Sequence, residues 1–182
     1  MDAQCADMNS VLADVESILR SLRGVWDEEA VDELDHALQC GHQASRDGAD
    51  DELILAAALH DLGHSPNVDR HRHHDVAARD WLTPRFGARV GWLAGAHVAA
   101  KRFLAATEPG YAADLSETSV MSMNQQGGPG VDVDWTTHEW WADAVRLRRF
   151  DDAAKMPGAP ALSVDDVLVV ARRVLEHETG AR

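Results

Sequence analysis

Apolar residues return every three or four positions through most of the 182-residue chain, and runs alternating apolar with polar residues are nearly absent. That pattern predicts an all-α fold. The clearest case follows Ser163: Val164, Val167, Leu168, Ala171, Val174 and Leu175 line one helical face, while Asp165, Asp166, Arg172 and Arg173 take the other. Ser163 and Asp166 form an S-x-x-D start signal for that helix. Similar spacing predicts helices over about 5–22, 28–46, 51–62, 73–83, 86–104, 112–123 and 137–155. The 51–62 segment differs in kind. Leu53 to Leu59 has no polar face, as expected of a central helix enclosed by others, and the segment ends by delivering His60 and Asp61 to Gly63. Breaks fall at 63–69 and at 124–133, where Gln126-Gly127-Gly128-Pro129-Gly130 cannot continue a helix.

The length suits a single domain spanning 1–182. Seventeen Lys and Arg against 31 Asp and Glu leave a net charge of −14, which disfavours nucleic acid and anionic membrane surfaces as partners. Cys5 and Cys40 form no CxxC pair, which points to a reducing compartment and away from a thiolate zinc site. The longest purely apolar run is far shorter than the ~20 residues that span a bilayer, and the acidic N-terminus lacks a signal-peptide pattern. A cytoplasmic protein is expected.

Histidine changes the picture. Eight of the ten histidines lie within residues 36–97, a third of the chain. His36, the pair His60-Asp61, His74, His97 and Asp151 fall on separate predicted helices around the central one. Four imidazoles and two carboxylates suit iron, manganese or zinc, and helical bundles build metal sites from facing helices. Six ligands exceed what one open catalytic metal accepts, so the set suggests two metals bridged by Asp61. Taken singly, a helical histidine is more often an ordinary hydrogen-bonded residue. That reading is kept for His42, His71, His73, His138 and His177. Spacing alone does not separate His74 from His73, or Asp151 from Asp152.

Several segments carry a more specific likeness: Leu34-Asp35-His36-Ala37-Leu38-Gln39, His60-Asp61-Leu62-Gly63-His64, His74-Asp75-Val76-Ala77-Ala78, and His97-Val98-Ala99-Ala100-Lys101-Arg102-Phe103-Leu104. Leu115-Ser116 through Ser122 to Gln126-Gly127-Gly128-Pro129, and Leu147-Arg148-Arg149-Phe150-Asp151-Asp152-Ala153-Ala154-Lys155, extend it. With these the chain resembles the HD-domain superfamily and, within it, the mixed-valent diiron oxygenases of organophosphonate degradation, typified by 2-amino-1-hydroxyethylphosphonate dioxygenase. Myo-inositol oxygenase is a more distant relative. The bare H…HD…D is shared by many phosphohydrolases; the H-V-x-A-K-R, Q-G-G-P and L-R-R-x-D-D-x-A-K segments discriminate better.

The resemblance implies an HD-type helical bundle whose core holds two irons, Fe(II)/Fe(III), on His36, His60, Asp61, His74, His97 and Asp151. It implies O2-dependent cleavage of the C–P bond of a small 1-hydroxyphosphonate, releasing phosphate and a carboxylic acid. His64 and Lys101 are then the expected catalytic groups, and His64, Lys101, Ser119, Ser122, Gln126, Arg148 and Lys155 the expected substrate contacts. Glu29 matches the family's amine-contacting glutamate, while Trp26 stands where the amino-phosphonate enzyme has tyrosine and offers cation–π attraction to an ammonium group. Gly130 stands where the family usually has methionine. The principal alternative is an HD-type phosphohydrolase, in which a metal-bound hydroxide attacks a phosphomonoester or nucleotide without oxygen. A non-catalytic metal-dependent sensor is a third reading.

Overall fold

In the computed structural model, which describes residues 3–26, 30–68 and 73–180, the apolar stretch after Asp50 forms α3 (Asp51–Leu59) with every residue from Leu53 to Leu59 buried. Asp50 caps it, accepting the Leu53 N–H at 2.9 Å. Around α3 pack α2 (Glu33–Arg46), α4 (His74–Thr107), α7 (Trp141–Ala153) and α8 (Val164–Gly180), with α1 (Ala3–Ser21) against α8 and α2. α5 (Glu117–Gln125) and the single turn α6 (Val133–Thr136) complete the described helices, and the described residues contain no strand. The all-α expectation therefore holds, with the histidine-rich segments in the middle of a helical bundle.

Helix ends follow their caps. α2 begins at Glu33 because the Asp32 carboxylate accepts the Asp35 N–H at 3.0 Å. α8 starts on a reciprocal pair in which Asp166 N donates to Ser163 Oγ and Ser163 N donates to Asp166 Oδ2. α5 starts at Glu117, later than the apolar spacing predicts, since Ser116 Oγ caps Ser119 N. α7 likewise starts at Trp141, behind the turn α6.

The long element α4 positions the site. Its two predicted helices run on without a connecting loop, broken only at Gly87, whose φ of 88° and ψ of 171° suit glycine alone. Straight, a helix would hold His74 and His97, 23 residues apart, at about 35 Å. Instead their Nε2 atoms lie 3.0 Å apart, so the arms 74–86 and 88–107 fold back on each other. Small residues permit the approach: a Cβ on Gly91 would meet the Thr83 backbone, and one on Gly95 the Arg79 side chain at 3.2 Å. No helix among the described residues is long and apolar enough to cross a membrane.

Candidate metal centre

His60 occupies the C-cap of α3, and the chain turns tightly through Asp61 into the 3-10 turn Leu62–His64. The Asp61 carboxylate thereby enters the bundle and presents two oxygens to two different groups. Oδ2 faces His60 Nε2 at 3.0 Å and His36 Nε2 at 3.5 Å. Oδ1 faces His74 Nε2 and His97 Nε2, each at 3.5 Å, with His64 Nε2 farther off at 3.9 Å. Asp151, from α7, closes the first group: Oδ1 lies 3.5 Å from His36 Nε2 and Oδ2 3.4 Å from His60 Nε2.

The imidazoles are set up to donate lone pairs. Nδ1 of His36, His60 and His97 meets the backbone carbonyls of Ala154, Ala57 and Ala94 at 3.0, 2.8 and 2.6 Å. A carbonyl only accepts, so each Nδ1 carries a ring proton and Nε2 is the atom turned toward Asp61, where loss of its own proton would expose a lone pair to a cation. His60 Nε2 and Asp61 Oδ1 are buried without a hydrogen-bond partner. Buried polar atoms in native folds are almost always satisfied, and a cation would satisfy both. The donor set, imidazole nitrogen with carboxylate oxygen, fits iron, manganese or zinc.

Electrostatics separates the two groups. Burial holds His97 well below the ordinary histidine value, and holds His74 below it as well. Burial opposes protonation of His36 and His60 too, but the Asp61 and Asp151 carboxylates outweigh it and raise both. Although burial pushes Asp61 toward the neutral acid, His60 and His36 hold it well below the usual carboxylate range.

Beside Asp151 lies a cationic pocket. Lys101, one turn beyond His97, is buried and donates to Ser122 Oγ at 3.3 Å. Lys155 Nζ donates to Ser119 Oγ at 3.0 Å and stands 3.9 Å from Asp151 Oδ1. Ser122 Oγ in turn donates to Gln126 Oε1 at 3.4 Å. Burial lowers the Lys101 ammonium, and the charges of Arg148 and Lys155 lower it further against Asp151 and Asp61. The fully buried Arg148 donates to Asp151 Oδ2 at 2.6 Å.

No family profile matches the sequence. Over 162 residues the chain is 35% identical to the hydroxymethylphosphonate dioxygenase of Gimesia maris, covering 82% of this chain and 81% of that protein. Over 129 residues it is 34% identical to the glycine-betaine-forming [1-hydroxy-2-(trimethylamino)ethyl]phosphonate dioxygenase of Leisingera caerulea, covering 62% and 66%. It is also 29% identical over 141 residues to an uncharacterised protein of Acanthamoeba polyphaga mimivirus, covering 70% and 64%. The chain belongs to the hydroxyphosphonate dioxygenase family.

Within this phosphonate dioxygenase-family chain, the six expected ligands converge on one cluster, and Lys101, Ser119, Ser122, Gln126, Arg148 and Lys155 gather beside it. Trp26 is not packed into it: the indole is 64% exposed on the segment before α2. Glu29 lies outside the described residues, as does His71. Gly130 has a packing reason. The loop 126–130 folds onto Arg102, whose Nε donates to the Gly128 carbonyl at 2.8 Å, and a Cβ on Gly130 would sit 3.0 Å from its guanidinium. His73 is exposed at the N-cap of α4, His177 is exposed, and the half-buried His138 stacks on Trp92 at 4.1 Å.

Residues that the sequence pattern did not single out also matter here. Gln39 binds both backbone groups of Met156, tying α2 to the end of α7 so that His36 reaches Asp151. Glu33 is buried, with a carboxylate oxygen grouped within 4.8 Å with Asp61 and His64. Tyr111 and Asp152 surround Arg148. The contacts of Gln39, Glu33 and Tyr111 join elements distant in sequence, so no local signal marks them, whereas Arg148 and Asp152 stand four apart on α7.

Proposed function

We propose that this chain is a single-domain, HD-type diiron dioxygenase that uses O2 to cleave the C–P bond of a small 1-hydroxyphosphonate, releasing phosphate and a carboxylic acid. The family's curated relatives act on hydroxymethylphosphonate and on a trimethylamino-substituted hydroxyethylphosphonate. The observation that carries the reading is the division of Asp61, one oxygen toward His36 and His60, the other toward His74 and His97. His36, His60, Asp61 and Asp151 would hold one iron; Asp61, His74 and His97 would hold the other. Irons bound there supply the one-electron chemistry with O2.

The chain's own groups bind and orient the substrate. Lys101, Arg148 and Lys155 balance Asp61, Asp151 and Asp152, three charges against three. Any bound cation therefore turns the pocket net positive, which favours a phosphonate dianion beside it. Lys101 contributes a point charge and Arg148 a planar fork, while Ser119 and Ser122 offer hydroxyls to phosphonate oxygen. Held against the cluster by these contacts, the substrate presents its C1 hydroxyl and C1–H to the reacting centre, and His64, on the rim 3.9 Å from Asp61, is placed to exchange a proton with the hydroxyl. The two cysteines, which form no CxxC pair, support a cytoplasmic setting.

The test is iron content together with phosphate release from hydroxymethylphosphonate in air and under argon. About two irons per chain and oxygen-dependent release are expected. Anaerobic hydrolysis of phosphomonoesters with Mn(II) or Mg(II) would replace this reading with a phosphohydrolase.

A further inference from the structure

Arg148 is surrounded by a closed ring of hydrogen bonds that the metal cluster does not require. Its Nε donates to the Tyr111 hydroxyl at 2.9 Å, and one Nη donates to Asp152 Oδ1. The Tyr111 hydroxyl completes the ring by donating to Asp152 Oδ2 at 2.6 Å. The phenol thus accepts from the cation and donates to the anion at once, which neither Phe nor an aliphatic side chain can do. The remaining Nη reaches Asp151 at 2.6 Å. Three of the five guanidinium N–H donors are therefore committed to protein, and two remain, one on each Nη.

Tyr111 is the only tyrosine of the chain, and its position is engineered by its surroundings. It opens the 3-10 turn Tyr111–Ala113 behind α4, just after Gly110 at a φ of +89°. Arg149, next to Arg148 on α7, pairs with Glu108 and lays its guanidinium over the Tyr111 ring at 5.4 Å. Adjacent arginines thus divide the work: Arg149 staples the turn to α7, and the stapled turn presents the hydroxyl to Arg148. Tyr111 and Arg148 are both buried, so a broken ring would leave polar atoms without water to replace the lost partner.

We infer that Tyr111 and Asp152 are positioning residues for oxyanion binding: the ring they close fixes the Arg148 guanidinium in one plane against Asp151, with two donors left for the phosphonate oxygens. This rests on the function proposed above. A guanidinium free to rotate must be ordered at each binding event, so loss of the ring weakens anion binding more than it slows turnover.

The experiment measures binding of inorganic phosphate to the iron-loaded chain by calorimetry, with KM and kcat for hydroxymethylphosphonate beside it. Tyr111→Phe is expected to weaken phosphate binding and raise KM about tenfold, with kcat within about threefold of wild type and iron content unchanged. Asp152→Ala should do the same more strongly, and Asp152→Asn, which keeps an acceptor oxygen, less. In an Arg148→Lys background Tyr111→Phe should add almost nothing, since both changes act on one group. Fully additive effects, or a fall in kcat and iron content with phosphate binding intact, overturn the inference. A wild-type chain that binds phosphate yet releases none from phosphonates in air overturns the proposed reaction instead, and the binding measurements still decide the role of the ring.

Discussion

Gly63 and His74 meet backbone to backbone: a Cβ on Gly63 would lie 2.3 Å from the His74 carbonyl oxygen and 2.7 Å from its Cα. The turn that carries Asp61 and His64 is thereby wedged against the first residue of α4. Gly63→Ala must push the two apart, and overpacking of this kind costs about 1–3 kcal/mol. Since His74 starts the displaced helix, the variant should lose metal from the His74 and His97 group before it unfolds. Metal content per chain beside a thermal melt checks this; full metal content with an unchanged melt would show that the contact relaxes freely.

Asp61 and Asp151 should differ in what their loss removes. Asp61 faces both histidine groups, whereas Asp151 faces only His36 and His60. Asp61→Ala is expected to reduce bound metal in both groups and abolish turnover, while Asp151→Ala empties one and leaves about one metal per chain. Titration with Mn(II) or Zn(II) followed by metal analysis distinguishes them without relying on activity.

The fold of α4 hinges on Gly87. At its φ of 88° and ψ of 171° a side chain is strained, at a cost of about 1–3 kcal/mol. Gly87→Ala should lower the melting temperature and loosen the meeting of His74 with His97. If the thermal midpoint and the metal content both stay at wild-type values, the reversal of α4 does not depend on this residue.

Acid sensitivity should begin at the head of α2. Asp32 is buried, which alone would raise its carboxyl, but N–H groups of Asp35 and Gly24 and the charge of Arg23 overcome this and lower it. A carboxylate held below its unfolded value adds stability that is present above about pH 4 and is lost as pH falls through the folded value. Asp32→Asn should therefore flatten the loss of stability below pH 4. Asp32→Ala also removes the cap, at a cost of about 1 kcal/mol at neutral pH. Urea denaturation of the three proteins between pH 3 and pH 7 measures both effects.

Much of the fold is legible along the chain because helical periodicity is a local property. Val164 through Leu175 specify α8 and Ser163 its start, and the unbroken apolar run 53–59 marks the helix that others enclose. Candidate metal-binding side chains are legible for the same reason: imidazoles and carboxylates appear as letters. The reversal at Gly87 was not, since two predicted helices divided by a short break give no angle. Nor was the later start of α2 and α5, which a capping carboxylate or hydroxyl decides against apolar spacing that continues upstream.

By itself the sequence determined an all-α protein with four histidines and two aspartates suited to a metal centre, and motifs that tie it to phosphonate oxygenases. Spacing left His73 beside His74 and Asp152 beside Asp151 open, and the family resemblance favoured His74 and Asp151. The tertiary structure supplies the physical reason, because neighbouring residues point in different directions and just one of each pair faces the histidine cluster. His73 falls outside as an exposed cap, and Asp152 turns to Tyr111 and Arg148, while Asp151 turns to His36 and His60. The division of the Asp61 oxygens between two histidine groups is likewise a property of three dimensions. It arises where the end of α3, the folded arms of α4, and α2 and α7 meet around a single carboxylate.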